Sequence, residues 1–225
     1  MGVNYRSGKA EAEEVVGAIE AAGGKAAAIP GDVSEYDQAV AMVEQTNDQL
    51  GGLHILVNNA GIAKDDLIYN MDPGDWLDVM RVNFGGVFNC TKASLDVFMK
   101  QREGVIVNVS SVMGEVGWIG ESNYSASKGA VNAFTRCCAV EFARFGIRVN
   151  AVLPGFSPTE LVAGLLEKDG GKGIKKQLPM KVFGDVSEIA SVALFLASPE
   201  SKYMTGSMVP VDGGALAQLG VGKPL

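Results

Sequence analysis

Histidine and cysteine are scarce in this chain, with one histidine and three cysteines among 225 residues. The histidine, His54, opens an apolar strand-like segment, which argues against a catalytic Cys–His pair. Cys137 and Cys138 are adjacent and Cys90 lies in an apolar helical segment, so we expect three buried thiols rather than a disulfide framework. The sequence shows no cluster of histidine, cysteine and carboxylate residues, and we predict no metal site.

Long apolar runs and basic clusters are also missing. No apolar stretch approaches the length of about 18 residues that a membrane span needs, and no charged-then-apolar leader opens the sequence. A net charge of −7 without a basic patch argues against nucleic acid as a partner. The length suits one α/β domain, which we take as residues 1–225.

Strand-like and helical segments alternate along the chain, a pattern typical of a doubly wound parallel sheet with helices on both faces. The predicted strands are 3–5, 25–30, 54–57, 105–109, 147–152 and 208–211. The predicted helices are 8–22, 35–50, 75–101, 123–145 and 185–196, the last with Asp185 and Glu188 as a capping box.

Ser111, Tyr124 and Lys128 form the pattern that points most directly to chemistry. Tyr124 and Lys128 are four residues apart on a predicted helix, so their side chains share one face. A nearby ammonium group favours the phenolate, and a lowered phenol pKa suits acid–base work on a carbonyl or alcohol oxygen. Ser111 ends the preceding strand, where its hydroxyl could bind the same oxygen. Tyr-x-x-x-Lys alone is a weak signal that also fits a surface pair.

Polar and glycine residues follow several other strands. Val57 leads into Asn58-Asn59-Ala60-Gly61, Asp32-Val33 ends another strand, and Pro154-Gly155 a fourth. Ligands of open α/β sheets bind at the carboxyl ends of the strands. Asn83 interrupts an apolar helix between Val82 and Phe84, and we expect it to be buried.

With these motifs, the PG-x-x-x-T segment and the closing VDGG, the chain resembles the short-chain dehydrogenase/reductase superfamily from Val3 to about Gly214. It is most similar to bacterial and plastid 3-oxoacyl-(acyl carrier protein) reductases. The resemblance implies a Rossmann-like fold and NADPH-dependent reduction of a 3-oxoacyl thioester to the 3-hydroxyacyl thioester in fatty acid synthesis. It also implies a cytoplasmic protein, or a stromal one in a plastid.

The resemblance assigns roles to four catalytic residues. Tyr124 gives a proton to the ketone, and Lys128 lowers the pKa of Tyr124 and binds the nicotinamide ribose. Ser111 orients the substrate carbonyl, and Asn83 holds a water that connects Lys128 to solvent.

Cofactor contacts are implied in the same way. Besides Tyr124 and Lys128 they are Asp32, Val33, Asn59, Ala60, Gly61, Pro154, Gly155, Ser157 and Thr159. Pro158 departs from the family pattern and stiffens the position after Ser157. NADP is favoured over NAD because Arg6 and Ser7, rather than a carboxylate, follow the strand that meets the ribose. A solvated loop arginine is the alternative for Arg6.

Substrate recognition is less defined. The family docks an acidic acyl carrier protein on two basic residues near the site mouth; Arg102 matches the first, and Arg144 lies beside Phe145, which occupies the second. A coenzyme A thioester or a free ketone stays open. Residues 156–182 are interpreted as a substrate lid, with an ordinary surface loop as the alternative.

In the family a strand, a Gly-rich phosphate turn and a helix precede the residues that match Val3, and no GxxxGxG motif occurs here. We therefore expect the sheet to lack its first strand, a loss on the order of 10 kcal/mol against a typical total of about 5–15 kcal/mol. Either the sequence is truncated and the intact protein is a reductase, or the short chain is a non-catalytic remnant or partner subunit.

A homo-oligomer, a tetramer by resemblance, is expected. Phe134, Cys138 and Phe142 fall at helical spacing and could form an apolar face between subunits. Packing inside the chain is the alternative for that stripe.

Overall fold

The protein is described by a computed structural model that covers residues 1–159, 162 and 169–218. Its strands are β1 Gly2–Tyr5, β2 Ala27–Pro30, β3 Ile55–Asn58, β4 Gly104–Val109, β5 Ile147–Pro154 and β6 Met208–Val211. All pairs are parallel, and they form a two-stranded sheet, β1-β2, and a four-stranded sheet in the order β3-β4-β5-β6. The predicted Rossmann-like α/β class is confirmed.

The helices are α1 Lys9–Ala21, α2 Tyr36–Leu50, α3 Pro73–Met80, α4 Gly86–Gln101, α5 Ser122–Phe142, α6 Lys172–Lys175 and α7 Val186–Ala197. At α7 the predicted capping box is confirmed, since Ser187 N donates to Asp185 Oδ1 and Asp185 N donates to Glu188 Oε2, both at 2.8 Å. No helix in the described part of the chain is long and apolar enough to cross a membrane.

The single helix predicted over 75–101 is divided into α3 and α4. Asp72 caps α3 by accepting a hydrogen bond from Gly74 N, and α3 ends where a π-helical turn, Arg81–Gly85, begins. A π turn inserts one residue into the helical ladder and is frequent at functional sites. Asn83 lies in its middle, so the irregular turn, which residue periodicity does not reveal, coincides with a predicted site residue.

Apolar side chains on both faces of the four-stranded sheet are buried, as successive strand residues point to opposite sides. Ile106 and Val149 are fully buried in one cluster with Phe98 of α4. Val107 and Val152 are fully buried on the other side, where they pack with residues of α7. Helices therefore cover both faces, which is why most residues of β4 and β5 are apolar.

The stripe on α5 belongs to this core. Cys138 and Phe142 are buried in the cluster around Phe98, and Phe134 packs against it, so intramolecular packing explains the stripe and its reading as a subunit contact is wrong. The expectation of three buried thiols is wrong for Cys137, which is exposed. Adjacent helical residues point about 100° apart, so burial of Cys138 turns Cys137 outward.

The helical layer also joins the two sheets. Ile29 of β2 packs with Met42 of α2 and Cys90 of α4, and Leu56 of β3 contacts both this cluster and the one around Phe98. Within the described residues β1 and β3 are not paired with each other, and the side chains of Ile55 and Val57 are 46% and 47% exposed. The β3 edge and one of its faces are thus open.

Candidate active site

A cavity of about 430 Å³ lies at the carboxyl ends of β3, β4 and β5. It is the edge where open α/β sheets bind ligands. Polar lining comes from Asn59, Asp65, Ser110, Ser111, Glu121, Tyr124, Lys128, Ser157 and Thr159. The apolar wall contains Val112, Met113, Phe156, Val162, Val186, Ile189, Ala190 and Ala193. Ser111, Tyr124 and Lys128 therefore converge on one space, as their spacing predicts.

Lys128 is buried beside Tyr124 on α5. Its Nζ lies 5.6 Å from the centre of the Tyr124 ring and donates a hydrogen bond of 2.8 Å to Val109 O at the end of β4. The start of α5 is fixed by Asn123, whose Nδ2 donates to Lys64 O at 2.8 Å and whose Oδ1 accepts from Tyr124 N at 2.7 Å. The end of β4 and the loop after β3 thus hold Lys128 and Tyr124 in place.

The expected acidity of Tyr124 is wrong for this structure. Burial raises the pKa of Tyr124 to about 12, opposed by a hydrogen bond from the Ser111 hydroxyl and reinforced by the negative charges of Glu121 and Asp65. Burial also lowers the pKa of Lys128 to about 8. Removal from water is the largest cause of both shifts. Tyr124 is therefore protonated at neutral pH.

Ser111 leaves β4 in an extended conformation and caps a short 3₁₀ turn, Val112–Gly114. Its Oγ accepts a hydrogen bond of 3.1 Å from Met113 N. With a lone pair taken by that amide, the hydroxyl proton is free to point toward Tyr124 or toward a ligand oxygen between them.

Asn83 is completely buried, as expected. Its Oδ1 accepts from Ile62 N at 2.8 Å, and its Nδ2 donates to Ile62 O at 2.9 Å and to Ser127 Oγ at 3.1 Å. The side chain therefore clamps the loop after β3 to α5. Its amide groups are engaged by protein, so the implied water site stays a prediction.

The loop after β3 has a second anchor. Asn58 Nδ2 donates to Asn108 Oδ1 at 2.8 Å, and Asn108 Nδ2 donates to Thr135 Oγ1 at 2.8 Å, both in the buried interior. A methyl group at Gly61 would lie 3.4 Å from Asn83 Oδ1 and 3.6 Å from Lys128 Nζ. The backbone at Gly61 thus runs beside two catalytic candidates, at distances that are ordinary van der Waals contact for an added methyl group.

The other implied cofactor contacts fall into two groups. Asn59, Gly61, Pro154, Gly155, Ser157 and Thr159 line the cavity, with Ala60 between the first two. Arg6, Ser7, Asp32 and Val33 lie instead at the ends of β1 and β2. Arg6 Nη1 is 4.0 Å from Asp32 Oδ2, and the Ser34 hydroxyl holds the pKa of Asp32 below its ordinary value. The strand ends of both sheets thus carry predicted cofactor contacts.

Arg102 and Arg144 are not at the mouth of this cavity. Arg102 ends α4 and precedes β4, and Arg144 precedes β5, so both lie at the amino ends of strands whose carboxyl ends form the site. Six residues of β4 separate the two edges, a distance of about 20 Å. Arg102 Nη2 donates to Arg144 O at 2.7 Å, and both guanidinium groups lie over the Phe145 ring. Within one chain, the prediction that Arg102 and Arg144 lie near the mouth of the site is therefore wrong.

Sequence reasoning missed two acidic residues of the cavity, Asp65 and Glu121. Burial raises the pKa of both carboxyls, that of Glu121 to about 7. Glu121 lies three residues before Tyr124, a spacing that could have placed both on one face of the helix. In the described residues no group of three or more histidine, cysteine or carboxylate side chains is arranged to hold a metal.

The proposed lid at 156–182 lies partly outside the described residues, which omit 160–161 and 163–168. In the described part, Phe156 packs against Trp118 with ring centres 5.5 Å apart and against Phe183 at 6.5 Å. Of these rings Phe156 lines the cavity, and the lid itself stays a prediction.

Known proteins resemble this chain over nearly its whole length. A family model described as enoyl-(acyl carrier protein) reductase matches residues 2–215. A 3-oxoacyl-[acyl-carrier-protein] reductase of Staphylococcus aureus is 41% identical over 214 residues, which cover 95% of this chain and 87% of the relative. The corresponding reductase of Synechocystis is 39% identical over 213 residues, covering 94% and 85%.

A solved structure agrees with this assignment. The crystal structure of a gluconate 5-dehydrogenase from Burkholderia cenocepacia, in complex with NADP and tartrate, superposes with a TM-score of 0.92 at 32% identity. The match covers 97% of this chain and 86% of that one. With Tyr124, Lys128 and Ser111 on one cavity, the chain belongs to the short-chain dehydrogenase/reductase family of oxidoreductases.

Proposed function

We propose that this protein reduces the ketone of a 3-oxoacyl thioester to an alcohol, with NADPH as the reductant. The observation that carries the proposal is the meeting of the Tyr124 phenol, the Ser111 hydroxyl and the Lys128 ammonium in one cavity at the strand ends. A ketone oxygen between the two hydroxyl groups would receive hydrogen bonds where negative charge develops.

The protonation states favour the reductive direction. A phenol whose pKa is raised to about 12 is protonated at neutral pH and can give its proton to an alkoxide oxygen. Alcohol oxidation would require the phenolate as base, a form that burial disfavours. In the reduction, the ketone carbon gains a hydride, its oxygen gains the Tyr124 proton, and solvent returns a proton to Tyr124.

The residues present fit the nicotinamide and ribose end of the dinucleotide, whereas the Gly-rich turn that binds the pyrophosphate in the family does not occur in this sequence. The buried Lys128 ammonium has three donors, of which one is used on Val109 O among the described residues, so two can bind ribose hydroxyls. When bound, NADPH supplies the hydride for the reduction. Arg6, exposed at the end of β1, and Ser7 are the proposed contacts of the 2′-phosphate. The NADP bound to the gluconate 5-dehydrogenase structure supports this choice.

The residues that line the cavity support a class of substrate. Apolar residues also line the cavity, with Val112, Met113, Ile189 and Ala193 available to an acyl chain. The names of the relatives from Staphylococcus aureus and Synechocystis indicate a thioester on acyl carrier protein. A coenzyme A thioester has the same reacting part and is the second candidate, since Arg102 and Arg144 do not flank this cavity within one chain.

The wider setting is proposed by resemblance. We propose a cytoplasmic protein that assembles as a homo-oligomer, a tetramer as in the family. Apolar side chains that are exposed on α3, α4 and α5 support self-association, among them Leu77, Phe88 and Val140, which are 61%, 44% and 82% exposed. The alternative of a non-catalytic partner subunit is disfavoured because such a subunit has no need of the assembled site.

A substrate panel tests the proposal. NADPH consumption is followed with acetoacetyl-acyl carrier protein and with acetoacetyl-coenzyme A, and NADPH formation is followed with gluconate and NADP⁺. Reduction of either thioester, with the carrier-bound one preferred, is the expected result. Turnover of gluconate alone would contradict the proposed substrate class, and absence of turnover with all three would favour the non-catalytic alternative.

A further inference from the structure

Glu121 is a buried carboxyl group that the proposed reduction does not use. It is the residue immediately before α5, lies three positions before Tyr124, and is 7% exposed. Glu121 and Tyr124 both line the cavity, and the charge of Glu121 raises the pKa of the Tyr124 phenol, so the carboxyl lies within electrostatic reach of the proposed proton donor.

One oxygen of this carboxyl, Oε2, is buried and has no hydrogen-bond partner among the described residues. Although Glu121 holds the N-cap position, its side chain makes no capping hydrogen bond. A buried polar atom without a partner costs free energy, which a ligand with a matching group would recover.

The nearby cations are committed to other partners. Lys64 Nζ pairs with Asp75 at 2.6 Å and with Asp78 at 2.9 Å, and Lys128 Nζ donates to Val109 O. Lys64, Asp65 and Asp66 belong to the loop that packs on the start of α5, where Asp66 N donates to Gly120 O at 3.0 Å.

The ionisable side chains that line the cavity within the described residues are Asp65, Glu121, Tyr124 and Lys128. Burial, and then the charge of Asp65, raises the pKa of Glu121 to about 7. The amino end of α5 favours a carboxylate there, but without a capping bond it does not offset burial. Glu121 is therefore about half protonated at pH 7 and largely neutral below it, and a neutral carboxyl has an O–H to donate.

We propose that Glu121, as a neutral acid, donates a hydrogen bond to a second carbonyl of the substrate while Tyr124 and Ser111 bind the reacting one. This inference rests on the proposed function and deepens it. Glu121 then acts as a specificity-determining residue that selects 1,3-dicarbonyl compounds, such as 3-oxoacyl thioesters, over simple ketones.

The chemistry of the substrate fits this arrangement. In a 3-oxoacyl thioester one carbon separates the ketone from the thioester carbonyl, so the two acceptor oxygens can reach donors one helical turn apart. A carboxylate can only accept hydrogen bonds and would repel a carbonyl oxygen. Substrate binding should therefore weaken as Glu121 loses its proton, and burial together with the charge of Asp65 determines the pH at which that occurs.

Steady-state kinetics with two matched substrates test the inference. The first is the N-acetylcysteamine thioester of acetoacetate, and the second is its thioether analogue, in which a methylene replaces the thioester carbonyl. For the wild-type chain we expect the KM of the thioester to rise about fivefold between pH 6 and pH 8, the effect of one hydrogen bond. The KM of the thioether should stay constant.

Three variants separate a hydrogen bond from a structural effect. Glu121→Gln keeps a neutral donor, so the KM of the thioester should be low and independent of pH. Glu121→Ala should raise that KM about fivefold at pH 6 without changing the KM of the thioether. Asp65→Asn removes a negative charge, so the rise in KM should move to lower pH.

A measurement of stability against pH, which needs no cofactor, completes the test. Because the pKa of Glu121 is raised in the folded state, wild-type stability relative to Glu121→Gln should fall as pH rises from about 4.5 to about 7. Equal KM values for all variants in an active protein, or equal changes for both substrates, would overturn the inference alone. Absence of thioester reduction by the wild-type chain would overturn the proposed function, and the inference with it.

Discussion

Lys128 Nζ donates its hydrogen bond to Val109 O, although the ring of Tyr124 lies only 5.6 Å away. The ammonium is therefore tied to the end of β4 and lies over the tyrosine ring. Tyr124 keeps its proton because burial is the largest influence on its pKa. We therefore propose that Lys128 acts on the reaction through position and ligand binding more than through the acidity of Tyr124.

Replacement of Lys128 by methionine tests the cost of burying the ammonium. The pKa of Lys128 is about 8 in the folded chain against 10.5 ordinarily, so the unfolded chain holds more protons between these values. Wild-type stability should therefore rise with pH from about 8 to 10.5 relative to Lys128→Met. Denaturant unfolding of both proteins across this range measures the difference, and parallel pH profiles would show that Lys128 is not desolvated.

Replacement of Asn83 by alanine removes the clamp between the loop after β3 and α5. Three hydrogen bonds of a fully buried side chain are lost, and the expected destabilisation is about 2–4 kcal/mol. Asn70→Ala is the matched control, because Asn70 is exposed and should change stability by no more than about 0.5 kcal/mol. Similar unfolding midpoints for the two variants would contradict the clamp.

Replacement of Arg6 by alanine tests the proposed phosphate contact. Loss of a charged hydrogen-bond donor should raise the dissociation constant of NADPH about tenfold and leave that of NADH unchanged. Lys9→Ala is the control, because Lys9 is an exposed cation paired with Glu13. Fluorescence titration with both nucleotides measures the effect. An equal loss for NADPH and NADH would assign Arg6 a structural role instead.

The sequence predicts the fold and the meeting of Ser111, Tyr124 and Lys128 because both depend on local spacing. The four-residue step from Tyr124 to Lys128 fixes one helical face, and the mainly apolar residues of β4 and β5 indicate a sheet covered on both sides. The residues after the strands then meet at one edge.

Other properties depend on packing between residues that are far apart in the sequence, so the sequence alone does not reveal them. The acidity of Tyr124 depends on how completely the fold removes it from water, and the exposure of Cys137 depends on which face of α5 meets the sheet. The resemblance assigns Arg102 and Arg144 to carrier-protein docking by their positions along the chain. A position along the chain does not show which edge of the sheet a residue occupies.

The central claim is that Tyr124 gives the proton that completes ketone reduction. The most direct measurement is the turnover number for acetoacetyl thioester with the Tyr124→Phe variant, beside Tyr203→Phe, whose ring is fully exposed. We predict a fall in kcat of at least about 100-fold for Tyr124→Phe with unchanged NADPH affinity, and no change for Tyr203→Phe. A kcat for Tyr124→Phe within about twofold of wild type would contradict the account.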